Sequence, residues 1–292
     1  YFIDGEEGDR TAAAVSLLDS DNAASLADVR GADCVAVVDC DLLEEGPMLA
    51  LAVRQAWRKG APVFLVGEHS PLAQAETVSI EAVQLSFLEE VPLGIFDNPV
   101  VICGTRHNAP AVFESLARAG AKFACILPGP NAFGAALLAR EHGGCSLAEA
   151  VATGKIKGVV AVEADIPAEL LEGIPFVAAL DWFPTALAGR ADVFLPTAAW
   201  VEMDGTFINN EGRAQRFKKV MNPGLPVKGL DPALHPPRVF RGIPPGGDVR
   251  PAWRVIAAIA ERFGGAKIDE PFTRMWEKLR DLDPEGEGMR VV

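Results

Sequence analysis

Apolar positions fall in short, almost unbroken runs, and between them lie Ala-rich stretches in which apolar residues recur at helical spacing. The run ADCVAVVDCD, residues 32–41, is Val-rich and predicts a buried strand. The stretch after it, EGPMLALAVRQAWRKG, predicts a helix with Met48, Leu51, Ala52 and Trp57 on its apolar face and its end near Gly60. A second strand is expected at Val63–Val66. Strand, helix and strand make a βαβ unit, and strands without polar alternation imply a parallel sheet covered on both faces. A helix is expected over residues 79–90, and GIFDNP after it reads as a lobe boundary.

The alternation then restarts. PVVICG predicts a strand, NAPAVFESLARAG a helix opened by Asn108, KFACILPG a strand and NAFGAALLAREHG a helix opened by Asn131. SLAEAVATG, GVVAVEAD and PFVAALD continue as helix, strand and strand. The expected fold class is α/β, with two Rossmann-like three-layer parallel-sheet lobes, residues 1–93 and 94–292, and a small antiparallel hairpin or meander within 191–220. Strand-end loops in such sheets line the crevice where ligands bind.

In ADVFLPTAAWVEMDGTFINNEGRAQ, Asp204-Gly205 predicts a two-residue hairpin turn between AAWVEM and TFIN, and NEG predicts a second turn before RAQRF. Arg213 and Gln215 share strand parity and are expected to project together, suited to a carboxylate or to backbone carbonyls. Glu202, Asp204 and Glu211 cluster in sequence, but beside turns their role is read as structural, as is that of Asn209 and Asn210. The proline-rich segment 222–247 predicts an extended surface wrap. A helix follows, with Asp248 as its expected N-cap, Pro251 in its first turn and an apolar face of Trp253, Ile256, Ala260 and Phe263; a last short helix is expected near 272–280.

The 292 residues, 49% of them apolar, suffice for a large core, and no apolar run reaches the roughly 18 residues of a membrane span. No direct membrane insertion is expected. The chain opens on Tyr with neither a basic start nor an apolar centre, which suggests a piece of a longer polypeptide. Its net charge of -13 argues against nucleic acid. Charge is uneven: Gly212 to Val292 holds 15 Lys and Arg against 10 Asp and Glu, or +5, which leaves -18 for residues 1–211. Five cysteines without a CxxC pair and four scattered histidines form no metal cradle, and a reducing compartment is the simpler reading. There is no phosphate loop, no GxGxxG and no GxSxG elbow. His107 stands at a strand end, where a solvated loop position is the ordinary role.

The segment from ADVFLP to EGRAQ resembles one shared by the molybdopterin oxidoreductases and by the large iron-sulfur G subunit of NADH-quinone oxidoreductase, in the pattern D-G-T-x-x-N-x-E-G-R-x-Q. LPGPNAFGA, GKIKGVVAVEAD, FVAALDWFPTALAGRADVFLP and PPGGDVRPAWRVIAAIAERFG follow in that family's order, over roughly residues 30–265. The resemblance implies that strand-end loops at Asp39–Asp41, Gly104–Asn108, Gly129–Asn131 and Asp181 correspond to those that hold a molybdopterin guanine dinucleotide. Asp41, Gly104, Asn108, Gly129, Asn131 and Asp181 are thus the cofactor-binding candidates, should that cofactor be retained. It implies that the hairpin, through Asp204, Gly205, Thr206, Asn209, Glu211, Gly212, Arg213 and Gln215, packs against an iron-sulfur part of the same polypeptide. This segment lacks the cluster-binding cysteines and the metal-ligating residue, and Cys40-Asp41 stands where Gly-Asn is usual. Asp39, Asp41, Glu44 and Glu45 would repel an anionic cofactor. The resemblance therefore implies a cofactor-free, non-redox scaffold with no active site of its own, in a longer protein whose other part holds iron-sulfur clusters. The other subunits of the peripheral arm would be its partners, in the cytoplasm beside the inner membrane. The alternative is the cofactor-binding part of an enzyme such as the formate dehydrogenase alpha subunit.

Overall fold

The computed structural model describes residues 5–19, 21–67, 77–80, 93–108, 111–114, 120–220, 249–265 and 267. The segment 222–247, Asp248 and the helix near 272–280 lie outside them. Two parallel sheets and a small antiparallel hairpin make up the architecture.

The first sheet holds β1 (Cys34–Val38), β2 (Val63–Val66), β3 (Thr77–Ile80), β4 (Pro99–Gly104) and β5 (Lys122–Ile126), in the order β3-β2-β1-β4-β5. Its pairings are parallel, with Val35 opposite Val63 and Val100, and Cys103 opposite Cys125. Every residue of β1 is buried, as its unbroken apolar run requires. Side chains alternate between two cores because successive residues of a strand face opposite ways. Ala36, Val38, Val101, Cys103 and Phe123 join one core with Ala14 and Val15 of α1 (Gly5–Leu17) and Phe133 and Ala136 of α4 (Ala132–His142). Val35, Val37, Ile102 and Ala124 join the other with Val29 of α2 (Leu26–Gly31) and Ala52, Val53 and Ala56 of α3 (Pro47–Arg58). The result is three layers.

Several expected positions shift. The buried side of α3 is Ala52, Val53 and Ala56, while Met48 and Leu51 are exposed, because small residues let the helix approach a flat sheet closely. Ser79 and Ile80, the first residues of the helix expected over 79–90, belong to β3, where the run TVSI pairs beside β2; residues 81–90 lie outside those described. The lobe boundary expected at 93/94 runs through this sheet, since β1 pairs with β4 across it. The chain divides into one compact unit of Tyr1–Ser146, Phe207–Gln215 and Glu287–Val292, and another of Leu147–Thr206 and Arg216–Gly286.

The second sheet has β7 (Phe176–Asp181) between β6 (Gly158–Val162) and β8 (Val193–Pro196), all parallel. It is flanked in sequence by α5 (Leu147–Ala152) and α6 (Ala186–Arg190). Arg190 donates to the carbonyls of Leu171 (3.4 Å) and Ile174 (3.0 Å), tying α6 to the loop before β7. α7 (Ala252–Arg262) begins after Pro251, and it buries Ala252 and Ala257; Ile256 and Phe263, expected in its apolar face, are exposed.

The hairpin consists of β9 (Gly205–Ile208) and β10 (Ala214–Phe217). Its turn is at Asn209–Gly212, where Gly212 has φ +75°, and not at Asp204-Gly205. Gly205 opens β9 for a packing reason: a Cβ there would collide with the Phe217 ring. Asp204 takes the Lys219 N–H at 2.8 Å and lies 3.9 Å from the Arg216 guanidinium. The Asp-Gly pair therefore marks the foot of the hairpin, and NEG its tip.

Candidate functional site

In the first unit the chain runs from β1 to β2 and β3 on one side, then returns to β4 and β5 on the other. The order reverses between β1 and β4, and loops leaving two such strands part to form a crevice. Loops 39–45 and 104–108 meet there. Asn108, 1% exposed, spans the gap: its amide donates to Gly104 O at 2.8 Å and Val38 O at 3.1 Å. Its own Oδ1 is buried without a partner among the described residues. Asn108 ties the two strand ends, since the carbonyls that close a parallel ladder need donors, and residues 109–110 directly after it lie outside those described.

Asp41 turns back on its own loop, accepting the N–H groups of Leu43 (2.9 Å) and Glu44 (3.2 Å). Glu45 takes the Asp41 N–H at 3.1 Å, and a Cβ on Gly104 would lie 3.1 Å from Cys40 Cβ and 3.6 Å from Glu45 Oε2. Asp39 holds φ +43°, a strained value for a non-glycine residue. Beside this joint is a cavity of about 140 Å³ lined by Glu7, Glu45, Thr105, Arg106, Ile126, Leu127 and Pro128. Arg10 of α1 is tied to the β4 loop, donating to Thr105 O at 2.7 Å. Sequence reasoning misses Glu7 and Arg10, because both lie in a helix whose stretch GEEGDRTAAAVSL carries no clear apolar stripe. Glu45 stands out in the sequence only as one charge among several.

The remaining candidates separate. Gly129 and Asn131 follow β5, and Asn131 stands at the N-cap of α4 as expected, while its Oδ1 accepts the Ile208 N–H at 2.9 Å and so steadies the hairpin instead of the first turn of the helix. Gly134 makes room for it: a Cβ there would stand 2.6 Å from Asn131 Oδ1. Asp181 lies in the second unit at the end of β7, where it accepts the Phe183 N–H at 3.2 Å. Glu163, at the end of β6 with φ +49°, has its pKa raised by burial and then by the Asp181 charge. Thr197 Oγ1, after β8 in the same unit, is buried and unpartnered among the described residues.

At the hairpin tip, Asn209 Oδ1 accepts from Glu211 N (3.2 Å) and Arg213 N (2.9 Å), while Glu211 Oε1 accepts from Asn209 Nδ2 (3.0 Å) and Arg213 Nε (3.2 Å). Arg213 and Gln215 do not act as a pair: Arg213 is engaged by Glu211, and Gln215 is exposed. Thr206 is half-buried in β9. The tip forms one wall of a groove of about 560 Å³. Burial pushes the Cys34 thiol up to about 11, with help from Asp33, and drives Cys40 up further, with help from Glu45. Cys103 is raised by its hydrogen bond with Cys125 and by burial. Such thiols are poor nucleophiles and poor ligands. Among the described residues no His, Cys, Asp and Glu group suits a metal ion, and no helix is long and apolar enough to cross a membrane.

Residues 103–228, which span β4 to the hairpin and beyond, match the family described as Molybdopterin oxidoreductase. Over these residues the chain is similar to the molybdopterin oxidoreductase family. It is 32% identical over 142 residues to the G subunit of NADH-quinone oxidoreductase from Pseudomonas putida, a match covering 43% of this chain and 16% of that protein. It is 35% identical over 145 residues to the corresponding G subunit from Escherichia coli K12, covering 43% and 16%. It is 31% identical over 121 residues to the F420-dependent formate dehydrogenase 2 subunit alpha of Methanococcus maripaludis, covering 41% and 15%. The matched part thus spans about one sixth of the length of these curated relatives. The matched segment includes Gly104, Asn108, Gly129, Asn131, Asp181 and the whole hairpin; Asp41 lies before it.

Proposed function

We propose that this chain is the non-redox scaffold portion of a large iron-sulfur subunit, the G subunit of an NADH-quinone oxidoreductase, supporting electron transfer from NADH to quinone. The supporting observation is the β1/β4 crevice. A pterin dinucleotide carries a diphosphate, which strand-end loops hold through free N–H donors and positive charge. Here Asp41 engages the N–H groups of its own loop, and Asn108 is tied to two carbonyls. Glu7 and Glu45 line the opening, with Arg106 as the one cation lining it among the described residues. The cavity of about 140 Å³ is also well below the roughly 300 Å³ at which small-molecule pockets begin. The residues lining this crevice do not fit the dinucleotide, and no step is assigned to it. Catalysis would belong to other parts of the polypeptide and to other subunits of the peripheral arm, with this domain positioned in the cytoplasm beside the inner membrane.

A second reading is supported by the formate dehydrogenase similarity: the cofactor-binding part of a molybdopterin oxidoreductase. Elemental and pterin analysis of the full-length protein separates the two. Iron without molybdenum, tungsten or pterin is the expected result, and one equivalent of either metal with its pterin would overturn the scaffold assignment.

A further inference from the structure

We propose that residues 271–281 form a helix that packs antiparallel on the exposed apolar stripe of α7 and closes a helical hairpin within the second unit, to which both belong. α7 buries Ala252 and Ala257. Ile256, Ile259 and Phe263 stay 41%, 37% and 89% exposed. At about 100° per residue these three fall within about 60° of one another, so they form one continuous apolar stripe along the helix. A contiguous apolar surface of this kind marks a place where something docks.

The way α7 ends, and the sequence that follows it, select the occupant. The Gly264 N–H bonds to Glu261 O at 3.1 Å and the Gly265 N–H to Ala260 O at 2.8 Å, with Gly264 at φ +85°. Paired bonds across a left-handed glycine turn the chain back at a helix end. Gly265 has no room for a side chain, since a Cβ there would stand 2.8 Å from Ala260 O. Seven residues, 264–270, then lead to Pro271, within the roughly two to eight that join neighbouring helices. Residues 271–281 lie outside those described, and their sequence, PFTRMWEKLRD, has the pattern of the matching helix. Pro271 suits a first turn, the acidic Asp269 and Glu270 suit the positive end of the helix dipole, and Phe272, Met275, Trp276 and Leu279 recur at helical spacing. A helix this short does not persist alone in water, so it needs a surface to pack on. Ile256 to Phe263 and Phe272 to Leu279 are stripes of equal length. Run antiparallel, they set Phe263 against Phe272, Ile259 against Trp276 and Ile256 against Leu279. The pairing stands apart from the functional reading above, and its consequence is that α7 offers no apolar face to another subunit.

The test uses the full chain carrying Cys145→Ser, since the other four cysteines are buried. Cysteine pairs at facing positions, Ile256→Cys with Leu279→Cys and Phe263→Cys with Phe272→Cys, should close an intramolecular disulfide on mild oxidation at least about tenfold faster than two control pairs. The controls are Ile256→Cys with Asp281→Cys and Phe263→Cys with Arg274→Cys, whose second positions fall on the far side of the 271–281 helix. Trypsin gives a second readout that needs no cysteine. With the hairpin closed, Phe263→Ser should speed cleavage at Arg274 by about tenfold, because losing one buried aromatic contact raises the open population; with the stripe bare to water, cleavage would not respond. Equal disulfide rates for facing and far pairs, a disulfide-linked dimer in place of the intramolecular product, or cleavage at Arg274 unchanged by Phe263→Ser would overturn the inference.

Discussion

Asn108→Ala tests the joint between β1 and β4. The side chain donates to Gly104 O at 2.8 Å and to Val38 O at 3.1 Å from a position that is 1% exposed, while its 3.5 Å approach to Asp39 O is too long to matter. Truncation leaves two main-chain acceptors short of a donor, at about 1–2 kcal/mol each once water cannot reach them. It also removes the unpartnered Oδ1, which returns about 1 kcal/mol. The net loss is about 1–3 kcal/mol, and at roughly 2–4 °C per kcal/mol the melting temperature should fall by about 2–12 °C. Urea unfolding followed by far-ultraviolet circular dichroism measures it, as a lower midpoint at unchanged slope. Asn108→Asp keeps the shape, removes both donors and adds a charge among carbonyls, so it should cost more. A loss under about 0.5 kcal/mol for Ala, the level of an ordinary surface change, or a milder effect for Asp, would refute the account of this joint.

Elsewhere in the molecule, Gly205→Ala should destabilise the second unit by about 1–3 kcal/mol through its clash with Phe217, and adding Phe217→Leu should recover much of that in a double-mutant cycle. Burial raises the pKa of Asp28, but hydrogen bonds from Lys122 and Ser25 outweigh it and bring the group down to about 2. A depressed carboxylate stabilises the fold above its unfolded pKa near 3.8 and loses that contribution as pH falls towards 2, so wild type should lose about 1 kcal/mol over that window that Asp28→Asn does not. Thiol labelling in native buffer should modify Cys145 alone, and all five cysteines in denaturant, because Cys34, Cys40, Cys103 and Cys125 are buried; rapid labelling of a second thiol would contradict that burial.

The strands of the fold are largely legible in the sequence, because a strand covered on both faces must be apolar without interruption. Val63–Val66 and Pro99–Gly104 stand where their runs predict them. Strand order is not legible. Nothing local says that β4 returns to lie beside β1, so the chain reads as two repeats divided at 93, although one sheet contains both sides. Helices whose buried side is small residues mislead for a related reason: Ala52 and Ala56 carry less hydrophobic signal than Met48 and Leu51, yet they are what a close-packed sheet admits. Asp204-Gly205 fails as a turn because a glycine needed to pass under an aromatic ring has the same letter as a glycine needed for positive φ. Of the site, the polar hairpin residues are identifiable, whereas the unmatched oxygens of Asn108 and Thr197 depend on distances that spacing does not encode.

Asp28 joins two regions that the sequence keeps far apart. It closes the capping box of α2 with Ser25 and accepts the Lys122 ammonium of β5 at 2.7 Å. A single carboxylate therefore fixes both where a helix begins and how the margin of a sheet is held, and neither can fray without disturbing the other. In native-state hydrogen exchange the amides of α2 and the first residues of β5 should open together as one cooperative block, though 94 positions separate the two anchors along the chain.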